Sequence, residues 1–98
     1  MSNEGTGLAG GTGLAKGEAI VTRTYAVRYL KIVGGKTVGS VALHSATPFV
    51  LPVMGQQVAI HHEGASVAGV VTRVLLECRT FREGHGLGCH EAVDIDLA

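Results

Sequence analysis

Hydrophobic and polar positions alternate along most of this chain once the first residues are past. From Ala19 to Val33 the residues Ile20, Val21, Thr22, Thr24, Tyr25, Val27 and Tyr29 are β-branched or aromatic, side chains that favour a pleated strand over a helix. Gly34-Gly35 supplies the positive φ angles of a two-residue hairpin turn, and Lys36 to His44 returns antiparallel. With that turn Val33 faces Lys36. Tyr25, Val27, Tyr29 and Val33 then share one face with Val38, Ala42 and His44, while Leu30 and Ile32 share the other with Val41 and Leu43. Gln56 to His62 and Ser66 to Thr80 form a second hairpin about Glu63-Gly64. Glu91 to Leu97 closes the sheet, with Val93, Ile95 and Leu97 inward and Asp94 and Asp96 outward. No segment carries the pattern of a helix.

Two hairpins and a closing strand make the fold class all-β: a small SH3-like barrel of about five antiparallel strands, with an open β-sandwich as the structural alternative. The barrel domain is expected over residues 18–98. Residues 1–17 hold an imperfect repeat, Gly5-Thr6-Gly7-Leu8-Ala9-Gly10 followed by Gly11-Thr12-Gly13-Leu14-Ala15-Lys16, whose ordering would cost much backbone entropy for the burial of two leucines. They read as a disordered, flexible arm. No strand precedes these glycines and no Gly-Lys-Ser or Gly-Lys-Thr follows, which argues against a phosphate-cradling loop. Between the hairpins, Ser45 to Gly55 is unusually apolar for a loop. It contains Pro48, Phe49, Val50, Leu51, Pro52 and Met54, and it either plugs one end of the barrel or projects as a partner-binding lip.

The stretch Leu51-Pro52-Val53-Met54-Gly55-Gln56-Gln57-Val58, followed by Gly69-Val70-Val71-Thr72-Arg73-Val74, resembles the barrel half of short phage and mobile-element proteins, including head–tail connectors. The resemblance covers about a third of the chain and rests on hairpin grammar. It implies an accessory binding protein and fixes no functional residue.

Composition changes the picture in one respect. Of 98 residues 46% are hydrophobic and only 16% charged, which is sparse cover for a small domain. A domain of about eighty residues buries only some 60–65% of its unfolded surface. Surplus apolar residues therefore point to a homo-oligomer, most simply a dimer. Eight basic and eight acidic side chains cancel, and no long run of like charge offers a footprint for a phosphate backbone, so nucleic acid is an unlikely partner. No apolar segment is long enough to span a bilayer and the N-terminus lacks a signal-peptide pattern, so no membrane partner and a cytoplasmic location are expected.

Candidate chemistry is thin. Cys78, His85, Cys89 and His90 form a C-x6-H-x3-C-H arrangement across a glycine-rich loop, a ligand set zinc accepts, although its spacing matches neither common zinc pattern. A disulfide between Cys78 and Cys89 is a second reading. The preferred one makes Cys78 a small buried hydrophobe and Cys89 a loop thiol, with no metal and no cofactor. His61 and His62 point to opposite faces, and a pairing of His62 with His44 or Glu91 would make an acid–base or pH-sensing pair. Asp94 and Asp96 read as an edge strand's solubilising charges, answered by Arg28, Arg73, Arg79 and Arg82. No Gly-x-Ser-x-Gly elbow is present.

The function expected from this pattern is a non-catalytic oligomeric binding module of phage or mobile-element type. It would engage another protein or a small ligand through Phe49, Leu51 and Met54 and through a rim near His44 and His62. One alternative is a small enzyme whose site at the subunit interface uses histidines. Another is a nucleic-acid-binding barrel that displays Tyr25 and Tyr29 beside Arg28 and Lys31.

Overall fold

The computed structural model describes residues 19–98, which form five strands and no helix: β1 (Ile20–Val33), β2 (Lys36–Ser45), β3 (Gln57–His62), β4 (Ala65–Glu83) and β5 (Gly86–Leu97). The glycine-rich arm expected over residues 1–17 lies outside the described residues. The strands make one sheet in the order β2-β1-β5-β4-β3. The β1–β2, β3–β4 and β4–β5 ladders are antiparallel, but β1 and β5 run parallel, with Tyr25 beside Glu91 and Val27 beside Val93. The sheet is therefore mixed, where an antiparallel one was expected. It is also open, because no ladder joins β2 to β3.

Local chemistry accounts for the hairpins. Gly34-Gly35 and Glu63-Gly64 both have positive φ at their two central residues, the conformation whose twist matches the flanking strands. A third two-residue turn, Gly84-His85, joins β4 to β5. Gly84, Gly86 and Gly88 predict a loop over residues 81–90. Instead the strands run on, and a side chain at Gly88 would collide with the Phe81 ring, which lies across this bare stretch of β5. The expected closing strand thus begins at Gly86 and lies in the middle of the sheet, between β1 and β4, rather than at its edge.

The first hairpin departs from its expected register. Pairing starts as predicted, with Val33 opposite Lys36, but a bulge between Lys31 and Ile32 shifts it by one residue. Tyr25, Val27 and Tyr29 consequently face Ser45, Leu43 and Val41. A one-residue slip exchanges the two faces of a strand. Val41 is 3% exposed and belongs to the core, whereas Ala42 is exposed and His44 turns away from Tyr25, Val27 and Tyr29.

The core lies on the inner face of the curled sheet. Val27, Tyr29, Val41, Val93, Ile95 and Leu97 supply one side, and Val67 and Val71 of β4 close over them with Leu43, Phe49, Val58 and Ile60 packed alongside. β4 reaches this position by changing partner. Residues 65–70 pair with β3, and a bulge between Val71 and Arg73 hands the strand over to β5. From Thr72 to Glu83 every residue of β4 is exposed. The body is elongated, 46 × 27 × 21 Å, because the β4–β5 hairpin and the start of β1 extend past the core.

The shifted register gives opposite expectations for neighbouring positions. Val41→Ala should cost about 2 kcal/mol of stability by leaving a cavity, and Ala42→Ser should change it by less than about 0.5 kcal/mol. Urea denaturation of both variants checks this, and equal costs would contradict the bulge.

Candidate functional site

Strand alternation carries the inner face beyond the core. There β1 contributes Arg23 and Tyr25, β5 contributes Cys89 and Glu91, and β4 contributes Leu76 and Cys78. The β2–β3 connection folds against the proximal end of this strip. Thr47 N donates to Ser45 Oγ at 2.9 Å, and a turn over Val53 to Gln56 is closed by Gln56 N donating to the Val53 carbonyl at 3.1 Å. Phe49 packs against the core, and together with Pro48, Leu51, Tyr25 and Leu76 it bounds a cavity of about 100 Å³ that has Glu91 on its wall. Val50, Val53 and Met54 point into solvent. The loop therefore divides the two roles expected of it: Phe49 plugs and Met54 projects.

Next to Glu91 lie the two thiols. Cys78 is opposite Glu91 and Thr80 is opposite Cys89, so the cysteines are diagonal neighbours across β4 and β5, with their Sγ atoms 3.2 Å apart. Both are free; Cys89 is 2% exposed and Cys78 is exposed, the reverse of the burial expected for them. The Sγ atoms and a Glu91 carboxylate oxygen all lie within 4.8 Å of one another. Arg23 Nη1 stands 3.8 Å from Glu91 Oε2 on the far side. The hydrogen bond with Cys89 raises the Cys78 thiol pKa, with burial and the negative charges of Cys89 and Glu91 acting in the same direction and Arg23 opposing.

The other ligand-type residues are dispersed. His90 follows Cys89 in an extended strand and so turns to the outer face, where its Nδ1 is 2.7 Å from Thr24 Oγ1, and His85 sits in the Gly84-His85 turn. The structure splits the candidate set Cys78, His85, Cys89 and His90 and puts Glu91 beside the two cysteines. Glu91 was legible as an inner-face residue of the closing strand, but its neighbour Cys89 read as a loop thiol. The closeness of Glu91 to Cys78 was not legible, because that depends on a two-residue turn inside a segment that reads as loop. His44 lies on the outer face beside a groove with Arg28, Glu77 and Asp94. His62 ends β3 with its Nε2 3.8 Å from Glu63, in phase with Val58 and Ile60 of the inner side. The two histidines are thus on opposite faces, and the His62–His44 pairing considered above is not formed.

The outer-face aspartates of β5 are each taken by an arginine of a neighbouring strand. Arg28 Nε and Nη2 donate to Asp94 at 3.1 and 2.9 Å, and Arg73 Nε donates to Asp96 Oδ2 at 2.9 Å. These hydrogen bonds raise both guanidinium pKa values. Tyr29 is buried in the core and Arg28 is on the opposite face, so the aromatic and basic residues considered for nucleic acid do not share one surface.

In reduced, metal-free protein, iodoacetamide should modify Cys78 well before Cys89, because only Cys78 is open to solvent. A raised thiol pKa leaves less thiolate at neutral pH, so the Cys78 rate should stay below that of an ordinary cysteine there and keep climbing above the usual thiol range. Peptide mass mapping over a pH series checks both statements; equal labelling of the two residues would contradict the geometry. Comparison with protein families, with characterised proteins and with solved structures gives no match.

Proposed function

We propose that this chain is a non-catalytic interaction module that self-associates through the edge of β4. The observation that carries the reading is the half-partnered strand: beyond Val71, β4 has β5 on one side and, among the described residues, no strand on the other. Its exposed residues include Val74, Leu75, Leu76 and Phe81. A long edge with unpaired backbone groups is a template for pairing with another strand. The cavity under Phe49, about 100 Å³, is far below the roughly 300–1,000 Å³ of ordinary ligand pockets, which argues against a small-molecule site beneath that side chain.

Charge pairing favours one register for a second copy on this edge. Residues opposite each other in an antiparallel ladder both turn their backbone groups to the seam or both away. A two-fold axis therefore passes through a single residue. An axis at Glu77 or Arg79 sets that charge against itself; one at Leu76 opposes Arg73 to the partner's Arg79, and one at Thr80 opposes Glu77 to the partner's Glu83. Axes at Leu75 and at Phe81 each match one kind of charged pair, Arg73 with the partner's Glu77 or Arg79 with the partner's Glu83, whereas an axis at Cys78 matches two. There Glu77 meets the partner's Arg79, Arg73 meets the partner's Glu83, and Leu75 meets the partner's Phe81, all on the outer face. Neither the loop residues Leu51 and Met54 nor His44 and His62 enter this seam, which leaves the Pro48 to Met54 segment for a further partner.

Sedimentation equilibrium should show a dimer. Glu77→Arg or Arg79→Glu should each raise its dissociation constant about tenfold or more, and the double exchange should restore it, since both side chains are exposed and the monomer fold does not need them. A monomeric wild-type chain, or a double variant no tighter than the single ones, would overturn the reading.

A further inference from the structure

We propose that Cys78, Cys89 and Glu91 form a binding site for a thiophilic divalent cation, with zinc as the simplest occupant. The three ligand atoms already lie within 4.8 Å of one another, on two strands whose register is fixed by the Gly84-His85 turn. Zinc holds thiolate sulfur at about 2.3 Å and carboxylate oxygen at about 2.0–2.2 Å, so two sulfurs on one ion stand roughly 3.8 Å apart. The observed 3.2 Å between the Sγ atoms needs only a small opening. Cys89 supplies the buried wall and Cys78 the exposed one, which leaves the fourth tetrahedral position toward water. Binding takes a proton from each thiol, and the cation offsets the mutual repulsion of two thiolates and a carboxylate.

Arg23 is the competing cation. Its guanidinium reaches Glu91 at 3.8 Å, but its side chain is half exposed and can turn out to solvent when a metal takes the carboxylate. This sets the site apart from a bare cysteine pair, in which neither Glu91 nor Arg23 would matter. All three ligands belong to one chain, so the inference does not rest on self-association.

The test is titration of reduced, metal-free full-length protein with cobalt(II), followed in the near ultraviolet, with native mass spectrometry after zinc addition. A thiolate-to-cobalt charge-transfer band saturating at one equivalent per chain is expected. Cys78→Ser and Glu91→Gln should each weaken binding at least about tenfold, and Arg23→Ala should tighten it. Cys78 and Glu91 are outside the core cluster, so these variants should fold, as circular dichroism would verify. Glu77→Arg, made to disrupt the edge pairing, should still take up one metal ion per chain, because all three ligands belong to one chain. The proposal is overturned if no thiolate–cobalt band appears, if Glu91→Gln and Arg23→Ala leave affinity unchanged, or if the thiols form a disulfide in place of taking up metal.

Discussion

A strand of nineteen residues in so small a fold cannot be paired along its whole length on both sides, and the rest of the architecture follows from how β4 divides its hydrogen bonds. Its first part turns Val67 and Val71 onto the core and takes β3 as partner. Its second part leaves the core, takes β5, and keeps its far edge open among the described residues. The bulge between Val71 and Arg73 is the joint between these halves. There the β2–β3 connection is also fastened, by Gly55 N donating to the Val71 carbonyl and Val71 N donating to the Gln56 carbonyl. Bulges bend the strand that carries them, and this bend closes the core and sends the hairpin past it.

Strand parity decides which chemistry meets which. β5 lies between two partners, so its odd residues Cys89, Glu91, Val93, Ile95 and Leu97 line the inner face and its even residues His90, Asp94 and Asp96 the outer one. Along the inner face, packing is dense at the C-terminal end and loosens toward the turn, where Cys89 and Glu91 replace the aliphatic residues. Among the described residues the outer face has no second layer, and Asp94 and Asp96 are neutralised laterally by Arg28 and Arg73. One strand thus holds an apolar core position, a polar cluster and an ion-paired surface without breaking its alternation.

Much of this was legible in the sequence, for physical reasons. The alternation of Val93, Ile95 and Leu97 with Asp94 and Asp96 reports a half-buried strand whatever its neighbours are, and Gly34-Gly35 reports a tight turn from backbone sterics alone. The position of β5 was not legible, because strand order depends on which edges meet after the chain has folded back several times. The face of His44 was lost to a bulge that no turn residue announces. The cluster of Cys78, Cys89 and Glu91 was hidden for another reason: Gly86 and Gly88 suggest a loop until Val21 and Phe81 are seen to fill the space beside them. Local composition fails there because the missing side chains come from other strands.

The open edge and the thiol cluster are linked through Cys78, which belongs to the inner face of β4 and is also the residue through which the proposed two-fold axis passes. In that pairing the Cys78 side chains of the two copies are direct cross-strand neighbours. If both were thiolates, their repulsion would oppose the seam that Glu77, Arg79, Arg73 and Glu83 favour. A neutral thiol avoids this, and the hydrogen bond to Cys89 holds Cys78 in that form. A divalent cation bound by Cys78, Cys89 and Glu91 lessens it differently, by offsetting two of its ligands' three negative charges within each chain. It would also fix the diagonal Cys78–Cys89 contact and so stiffen the end of the hairpin that has no core beneath it, lowering the entropy lost when a second strand pairs there. Linkage then requires the converse: whatever the cation does for the seam, the seam does for the cation.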